Sequence, residues 1–368
     1  MSLQYLLYIL LKIIFINSGF LQRSLSKDVY RFTTFAGGIY GHLNGVGTVA
    51  KFRAPEGIAV DKLGNVYTTE YGSSIIRKIT PNGIVSTLAG KDSALGFIDG
   101  ISNEARFNRP HGIAVDKFLN VYVADMKNCI IRKILPNGKV KTIAGVPEVK
   151  GSSDGKSSQA TFNQPEGIAI NSKGCIYIAD TYNYIIREIS IDGNVKTLAG
   201  KAGISGSADG KGIKSRFNMP IGIAIDGKDN IYIVDANYDG TTPGNCTIRK
   251  ITTKGVVSTL AGLTGKTGCT DGKGRIATFN RPVGITVTKE GIVYIAYTEG
   301  DIIRKITADR IVSTIGGKYM IEDKQDGKGN DARFNDPQAI AISDKGVLFI
   351  ADTFNNRVVK GELIENEK

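Results

Sequence analysis

The sequence predicts an all-β fold, a six-bladed β-propeller of four-stranded antiparallel blades whose last blade is closed by the N-terminal strand. The main evidence is a unit of about 55 residues that occurs six times, each marked by a phenylalanine. Each unit also contains about four short apolar runs, and a repeat of this length with four strands is typical of a propeller blade. The marker phenylalanines, spaced 55, 55, 55, 62 and 55 residues apart, are Phe52, Phe107, Phe162, Phe217, Phe279 and Phe334.

Unit two shows how one repeat would form one blade. Its four runs are Gly112–Val115, Val121–Asp125, Cys129–Ile134 and Lys139–Gly145. They are rich in Ile, Val and Tyr and are separated by Gly, Pro, Asn and Asp, which is the composition of strands joined by turns. The first run is apolar on both faces and begins with glycine, so we expect it nearest the axis, where neighbouring blades converge.

The two ends of the repeat region are predicted to complete one blade together. Unit six lacks a TLAG strand, and the run Arg31–Gly37 (RFTTFAG) supplies one. This closure would remove the sheet edges that otherwise remain exposed. The predicted organisation is an apolar N-terminal segment at 1–28, a single propeller at 29–360 and a polar tail at 361–368.

Residues 3–16, LQYLLYILLKIIFI, form an apolar run outside the repeats. Its 14 residues, interrupted by Lys12, are fewer than the ~20 that span a membrane. The length fits a secretory signal, with Ser18 and Gly19 as small residues for cleavage, or a signal-anchor; a short N-terminal helix is the alternative. We therefore expect a secreted or membrane-anchored extracellular protein that contacts a membrane only through this segment, with a cytoplasmic location as the alternative.

Charge and cysteine content place weaker limits on function. The formal net charge of +12 favours approach to polyanions, but the charges are interspersed along the chain. Four cysteines are too few for a disulfide framework. Cys246 and Cys269 fall in loops expected on one face, so a bridge between them stays open, whereas Cys129 and Cys175 are expected to remain unpaired. We expect a monomer without a cofactor.

The phrase IAVDKFLNVYVADMKNCIIRKILPNGKVKTIAG, residues 113–145, resembles the NHL repeat, and all six units match over about 90% of the chain. The chain contains no tryptophan, which disfavours a WD-repeat propeller. The resemblance implies a propeller, usually of six blades. It also implies diverse functions: protein-binding platforms, RNA-binding modules, extracellular domains and a few enzymes such as the peptide-amidating lyase. It therefore selects no reaction.

Residues repeated in every unit are predicted to be structural, because they cannot all surround one site. An acidic residue usually ends the second strand, and an arginine lies on the third. An Asp-Gly pair precedes five of the six phenylalanines as a turn, and Asn44–Gly45 takes its place in unit one. Unit five departs from this pattern with Tyr297, and unit six has its arginine two positions early, at Arg357.

The residue after each FNxP-type proline is the candidate binding position, because it varies between units whose neighbouring residues repeat. We expect it at the mouth of the central channel, where the inner strand begins. Three of these residues, from consecutive units, are weak candidates for a metal site: Glu56, His111 and Glu166. The alternative is a solvated channel rim. The complete ring is Glu56, His111, Glu166, Ile221, Val283 and Gln338.

The predicted function is non-enzymatic: a binding or scaffold propeller that presents its loop faces to a protein or another ligand. The first alternative is an RNA-binding platform that uses a Lys- and Arg-rich loop face. The second is a channel-site lyase or hydrolase, which is disfavoured because the chain has two histidines and no sharp serine motif. Expected partner contacts are Arg109 and Arg281 near the rim, and Tyr238, Thr241 and Asn245 in the seven-residue insertion of unit four.

Overall fold

Six antiparallel sheets surround a central channel in the computed structural model, which describes residues 28–236 and 245–364. Each sheet is one blade, so the predicted all-β propeller and its number of blades are confirmed. Within the two described ranges, no helix is both long and apolar enough to cross a membrane. The apolar run at 3–16 lies outside them.

The strands follow one another in the same order in every blade. The first strand of the described residues is β1 (Val29–Gly37). Blade one contains β2 (Gly45–Val46), β3 (Pro55–Val60), β4 (Val66–Glu70), β5 (Ile75–Ile79) and β6 (Ile84–Ala89). Blade two contains β7 (Gly100–Ile101), β8 (Pro110–Val115), β9 (Val121–Asp125), β10 (Ile130–Ile134) and β11 (Lys139–Ala144). Blade three contains β12 (Gly155–Lys156), β13 (Ile168–Ile170), β14 (Ile176–Asp180), β15 (Ile185–Ile189) and β16 (Asn194–Gly200).

The second half of the ring repeats this order. Blade four contains β17 (Gly210–Lys211), β18 (Pro220–Ile225), β19 (Ile231–Asp235), β20 (Thr247–Ile251) and β21 (Val256–Ala261). Blade five contains β22 (Gly272–Lys273), β23 (Pro282–Val287), β24 (Val293–Tyr297), β25 (Ile302–Ile306) and β26 (Ile311–Gly317). Blade six contains β27 (Gly327–Lys328), β28 (Pro337–Ile342), β29 (Leu348–Asp352), β30 (Arg357–Ile364) and β1. Short 3-10 helices lie at Gly47–Val49, Ser102–Glu104, Met126–Asn128, Thr181–Asn183, Gly212–Lys214, Gly274–Ile276, Thr298–Gly300 and Gly329–Asp331.

Each blade has five strands, not the predicted four. The fifth is a two-residue strand on the outer edge, formed by the linker that arrives from the preceding blade. In blade two, Asp99 accepts hydrogen bonds from the backbone nitrogen of Thr142 (2.9 Å) and from its hydroxyl (3.1 Å). These contacts hold β7 against β11. The Asp-Gly pair therefore attaches the linker to the blade as well as turning the chain, and two residues are too few to show a strand pattern in the sequence.

The predicted closure of blade six by the N-terminal strand is confirmed. β1 pairs with β30 along its whole length, from Val29 opposite Ile364 to Gly37 opposite Arg357, and pairs with β27 on its other side. The predicted polar tail at 361–368 was placed too early, because residues 361–364 belong to β30. A strand as long as β1 needs a partner of similar length to satisfy its backbone hydrogen bonds.

The apolar core consists of the interfaces between blades. Phe52 is fully buried in a cluster that contains Ile58 of blade one together with Ala341 and Phe349 of blade six. The equivalent phenylalanines are buried in the same way, as expected. Burial of these rings between neighbouring sheets is a main source of stability in the propeller.

The inner strands approach one another backbone to backbone. The amide of Gly112 donates a hydrogen bond to the carbonyl oxygen of Glu166 in the next blade (2.9 Å). A Cβ atom added at Gly112 would lie 2.1 Å from that oxygen. Glycine is therefore required by the close contact, as the convergence of the strands at the axis predicts.

A buried arginine on the third strand holds each blade to its linker. The fully buried Arg132 binds Asp125 at 3.0 Å and Asp99 at 2.8 Å. It also donates to the carbonyl oxygens of Arg106 (2.7 Å) and Ile98 (2.9 Å). Since both terminal nitrogens of Arg132 and both carboxylates are used within the blade, the repeated Arg and Asp residues are structural, as predicted. Arg187 and Arg249 make the equivalent four contacts.

Blade five replaces this arrangement with an aromatic one. Tyr297 occupies the aspartate position, and its hydroxyl donates to the carbonyl oxygen of Gly268 (2.5 Å). Gly300 makes room for the ring, because a Cβ atom there would lie 2.5 Å from the Tyr297 ring. Arg304 keeps its second carboxylate, Asp271, at 2.8 Å. The two substitutions at 297 and 300 therefore compensate each other.

Blade six shows that the displaced arginine has the same role. Arg357 binds Asp352 at 2.6 Å and Asp326 at 2.9 Å, although it lies two positions early in the repeat. A shift of two residues keeps a strand side chain on the same face of the sheet. The departure from the repeat therefore leaves the contact unchanged.

The cysteines do not form disulfides in the described part of the chain. Cys129, Cys175, Cys246 and Cys269 are all thiols. Cys246 is buried in an apolar cluster between blades four and five, and Cys269 packs against that cluster. The two residues are therefore neighbours in one interface without a bridge.

Candidate functional site

The six candidate residues after the prolines lie where the inner strands begin, and we call the region that they surround the channel mouth. Beneath it is a cavity of about 60 Å³, lined by glycines, isoleucines and the ring members His111, Ile221, Val283 and Gln338. The opposite end of the channel is lined mainly by aliphatic side chains, such as Val60, Val115 and Ile170, together with Thr286. Next to this end lies a second cavity, whose lining also includes the charged residues Lys289, Glu290 and Asp344.

Glu56 and His111 face each other across the first two blades. The Nε2 atom of His111 lies 3.8 Å from the Oε2 atom of Glu56, and each side chain is 14% exposed. Burial lowers the pKa of His111 to about 4, so its imidazole is neutral at pH 7. Burial also raises the pKa of Glu56 well above its ordinary value; the charges of Glu166 and Asp336 raise it further, and Arg109 opposes them. The Oε2 atom of Glu56 is buried without a hydrogen-bond partner among the described residues.

Glu166 is a second buried carboxyl group at the mouth. It is 6% exposed. Burial raises its pKa to about 8, and the positive charges of Lys127 and Arg281 oppose this shift only in part. Lys127 is itself bound to Gln164, with its Nζ atom 2.5 Å from the amide oxygen. Glu166 is therefore largely protonated at pH 7 in the absence of a ligand.

Gln338 adds an unused acceptor. Its Nε2 atom donates to Asp336 at 2.9 Å, and its Oε1 atom is buried with no partner in the part of the chain that the structure describes. The side chain is 8% exposed. Within residues 28–236 and 245–364, two buried oxygen atoms at the mouth, one on Glu56 and one on Gln338, therefore have no donor, which is uncommon in folded proteins.

The residues just before the prolines form a second ring, which we call the rim. Five of its six members have positive φ angles between 48° and 54°. A residue before proline prefers extended backbone, so this conformation is strained, and strain of this kind concentrates at functional sites. The sequence analysis missed the rim as a set, although its charge also varies between units. Its members are Ala54, Arg109, Gln164, Met219, Arg281 and Asp336.

Arg109 and Arg281 lie at the rim, where the sequence analysis placed them. The guanidinium of Arg109 donates to the hydroxyl of Tyr71 at 2.6 Å and lies 4.8 Å from the centre of its ring. Arg281 binds Glu299 at 2.9 Å. Both cations are thus held beside the mouth by neighbours on the same face.

The expectation for Asn245 was wrong. Asn245 is 3% exposed, and its Nδ2 atom donates to Asp235 at 2.6 Å and to the carbonyl oxygen of Gly206 at 2.7 Å. Asn128 of blade two makes the same pair of contacts, to Asp125 and Gly96. Asn245 is therefore where the repeat resumes after the insertion, and its amide is not available to a partner. Tyr238 and Thr241 lie outside the described residues.

The structure does not support the metal hypothesis. Across 28–236 and 245–364 there is no group of three or more His, Cys, Asp or Glu side chains placed to hold a metal ion. Glu56, His111 and Glu166 are contributed by consecutive blades but do not converge on one point. Burial also raises the pKa of Glu56 and that of Glu166, which disfavours the ionised form that binds a metal ion.

The lysines of the inter-blade linkers do not join the rim arginines in one basic face. Four of them lie on the outermost strands of blades three to six, at the opposite edge of each sheet from the channel. Beside the mouth, the exposed side chains include two aromatic ones, Tyr182 (41% exposed) and Phe354 (64% exposed), together with Lys127 and Glu299. The four outer lysines are Lys156, Lys211, Lys273 and Lys328.

Comparison with known proteins identifies the repeat. The family model for the NHL repeat matches residues 162–186, within unit three. The chain is 30% identical over 292 residues to Protein SUPPRESSOR OF QUENCHING 1, chloroplastic, of Arabidopsis thaliana, which covers 73% of this chain and 26% of that protein. It is 27% identical over 281 residues to NHL repeat-containing protein 2 of Gallus gallus, which covers 68% of this chain and 38% of that protein. The chain thus spans less than half the length of each relative.

Solved structures share the fold at low identity. An auxiliary nutrient binding protein from Bacteroides thetaiotaomicron superposes with a TM-score of 0.66 and 16% identity, over 92% of this chain and 77% of that one. Streptogramin B lyase superposes with a TM-score of 0.53 and 13% identity, over 91% of this chain and 98% of that one. At these identities the likeness concerns the fold alone, and the fold is used both for binding and for catalysis.

Proposed function

The chain is an NHL-repeat propeller, and from this premise we propose that it is a non-enzymatic binding module whose channel mouth holds a side chain of a protein partner. The observation that carries the proposal is the pair of unpartnered oxygen atoms on Glu56 and Gln338. A buried acceptor without a donor costs about 1–3 kcal/mol. A partner that supplies donors would recover this free energy, so the mouth favours occupation.

The size of the cavity supports a side chain rather than a whole small molecule. Its volume is about 60 Å³, whereas pockets for small-molecule ligands usually measure about 300–1,000 Å³. The exposed rings of Tyr182 and Phe354 offer further contact area on the same face, and aromatic residues are common in the centres of protein interfaces.

The channel mouth offers few side chains that could catalyse a hydrolase or lyase reaction. His111 is the one histidine there, and because its pKa is lowered to about 4 it is a weak base at pH 7. No serine or cysteine lines the cavity within the described residues. The cavity lining of the described residues supplies no nucleophile, so the one acid–base candidate beside it is Glu166, whose pKa burial raises to about 8.

Selection from a displayed peptide library on the purified propeller tests the proposal. Peptides that bind wild type should bind the variant Glu56→Ala/Gln338→Ala at least tenfold more weakly, and should bind Glu290→Ala, changed on the opposite face, with unchanged affinity. Equal affinity for all three proteins would show that the mouth is not the binding site. Mass spectrometry of the recovered peptides should find them intact, and cleaved peptides would support the enzymatic alternative.

The RNA-binding alternative is tested on the same proteins with a single-stranded RNA pool. Salt-sensitive binding that is lost when outer-edge lysines such as Lys156 and Lys211 are changed to glutamate would support it in place of our proposal.

We further propose that the module works outside the cytosol, on the basis of the apolar run at 3–16. Mass spectrometry of the mature protein from its native host should find an N terminus near Phe20. Retention of the whole run in a cytosolic fraction would contradict this location.

A further inference from the structure

The face opposite the channel mouth carries exposed apolar side chains at turns of three neighbouring blades. Each inner strand runs away from the mouth, so the turns after the first and third main strands of a blade lie on this face. Leu63 of blade one is 60% exposed, Phe118 of blade two is 68% exposed, and Ile191 of blade three is 79% exposed. Grouped apolar side chains of this kind mark interaction surfaces. We call the surface of these turns, residues 61–65, 116–120, 171–175 and 190–193, the basal face.

The acidic residues of these turns are bonded locally. Asp61 is buried and accepts a hydrogen bond from the backbone nitrogen of Leu63 (2.8 Å). Asp116 makes the equivalent contact in blade two. Asp192 lies in the outer turn of blade three and accepts a hydrogen bond from the side-chain amide of Asn194 (2.5 Å). The carboxylates therefore fix the shape of the turns, and the apolar tips point outward from them.

Lysine occurs once in the inner turn of every blade on this face. In blade five this lysine is neutralised, because Lys289 binds Asp344 at 2.8 Å. In blades one and two the turn aspartates face inward, and the inner turn of blade three, residues 171–175, contains no acidic residue. The uncompensated positive charge therefore lies in blades one to three, together with the apolar tips. The six exposed lysines are Lys62, Lys117, Lys173, Lys228, Lys289 and Lys345.

A cavity of about 300 Å³ joins the turns of blades two and three. The Nζ atom of Lys117 lies 5.3 Å from the centre of the Phe118 ring. At the side of blade four, Asp229 is bonded to the hydroxyl of Ser172 (3.2 Å). The cavity thus combines two cations with an aromatic wall, which suits an anionic headgroup that is attached to an apolar chain. Its lining includes Asp116, Lys117, Phe118, Ser172 and Lys173.

The first described strand also begins on the basal face. β1 starts at Val29, opposite Ile364, and ends at Gly37, from which the chain continues to blade one on the mouth side. Residues 1–27, which include the apolar run at 3–16, therefore join the propeller at the basal face. The 12 residues from 17 to 28 span at most about 40 Å. A membrane that held the apolar run would thus lie near this face.

We propose that the basal face of blades one to three docks on a membrane surface that contains anionic lipid. The three apolar tips lie among the lipid headgroups, and the lysines beside them bind lipid phosphates. Membrane affinity of this kind grows with the buried apolar area and with the attraction of lysines to anionic lipid. Two of the tips, Leu63 and Ile191, are aliphatic and offer no ring on which a base could stack, which favours lipid over nucleic acid.

This inference goes beyond the proposed function and does not rest on it. The sequence predicts membrane contact only through the N-terminal segment, and the basal face adds a second contact. The channel mouth would then point away from the membrane, where a protein partner can reach it.

The test uses the absence of tryptophan from the chain. Phe118→Trp in the full chain supplies one indole, whose emission should shift to shorter wavelength with vesicles of equal parts phosphatidylcholine and phosphatidylglycerol. Brominated acyl chains should quench this emission, and vesicles of phosphatidylcholine alone should give a smaller shift. Phe354→Trp, at a similarly exposed ring on the mouth side, is the control and should show neither the shift nor the quenching.

A second set of variants tests the role of charge. In the Phe118→Trp chain, Lys117→Gln with Lys173→Gln should raise the concentration of the anionic vesicles at half of the full shift about 30-fold. Lys91→Gln with Lys201→Gln, exposed on the mouth side, should leave this concentration unchanged.

Each contrary outcome overturns the inference. Equal shifts at positions 118 and 354 would show that the basal face has no preference for the membrane. Equal shifts with neutral and anionic vesicles would show that the lysines do not bind lipid phosphates. If single-stranded RNA without lipid shifts the emission of Phe118→Trp as far as the vesicles do, the face is a nucleic-acid site. The comparison of the two indole positions does not depend on the lysine variants, and peptide binding at the mouth is measured separately.

Discussion

Replacing the aspartate that ends the second strand of a blade tests how much its ion pair with the buried arginine contributes to the free energy of unfolding. In blade three, Asp180 binds the fully buried Arg187 at 3.0 Å and accepts hydrogen bonds from Asn163 and Asn183, each at 2.8 Å. Asp180→Ala leaves these three donors without their acceptor, although Arg187 keeps Asp154 at 2.8 Å. Loss of one partner of a buried ion pair costs about 3–5 kcal/mol. We expect the free energy of unfolding to fall by that amount.

Blade five supplies the matched control. Asp180→Tyr with Asn183→Gly copies the pair at Tyr297 and Gly300, in which a phenol replaces the carboxylate and its hydroxyl binds a loop carbonyl group. This double variant should lose less than half of what Asp180→Ala loses. Urea denaturation followed by circular dichroism gives all three free energies of unfolding. If Asp180→Ala lowers the free energy of unfolding by less than about 1 kcal/mol, the structural role of the Asp180–Arg187 ion pair is refuted. If the double variant loses as much free energy of unfolding as Asp180→Ala, the proposed compensation between Tyr297 and Gly300 is refuted.

Three further predictions follow from the structure. Glu166 has a pKa of about 8 in the folded chain and near 4.5 in the unfolded chain, so the stability of wild type should fall as the pH rises between these values. Glu166→Gln should therefore be more stable than wild type at pH 8.5 but not at pH 4.5. Equal melting temperatures of the two proteins at both pH values would contradict this prediction. Phe32→Ala should lower the free energy of unfolding by about 3–5 kcal/mol in one cooperative transition, because the buried ring of Phe32 lies 5.3 Å from that of Phe334. The control Phe354→Ala, at an exposed site, should change the free energy of unfolding by less than about 0.5 kcal/mol. Gly112→Ala should lower the free energy of unfolding by at least about 1–3 kcal/mol, since the added Cβ would overlap a backbone oxygen of the next blade. Ala339→Gly, at the equivalent position of blade six, is the control. Similar melting temperatures for the two variants would refute the packing argument.

The composition of the mouth followed from the sequence because each blade contributes one residue at the same position. Knowing the position after one proline is enough to name all six ring residues, from Glu56 to Gln338. The same logic failed for Asn245, because the insertion hides the residue at which the repeat resumes. The contact between the Asn245 amide and Asp235 in the structure shows that the repeat has resumed by Asn245. Local pattern therefore placed the six candidate residues at the channel mouth but could not assign every residue near them.

The sequence by itself determined the propeller, the number of its blades and the closure by β1, because these depend on short-range strand patterns that recur at a regular spacing. Only the tertiary structure decided which polar atoms are left without partners. Among the described residues, the Oε2 atom of Glu56 and the Oε1 atom of Gln338 are buried without a partner, at a place where strands far apart in the chain meet. Desolvation and charge interactions depend on distances across the channel, which no local pattern encodes.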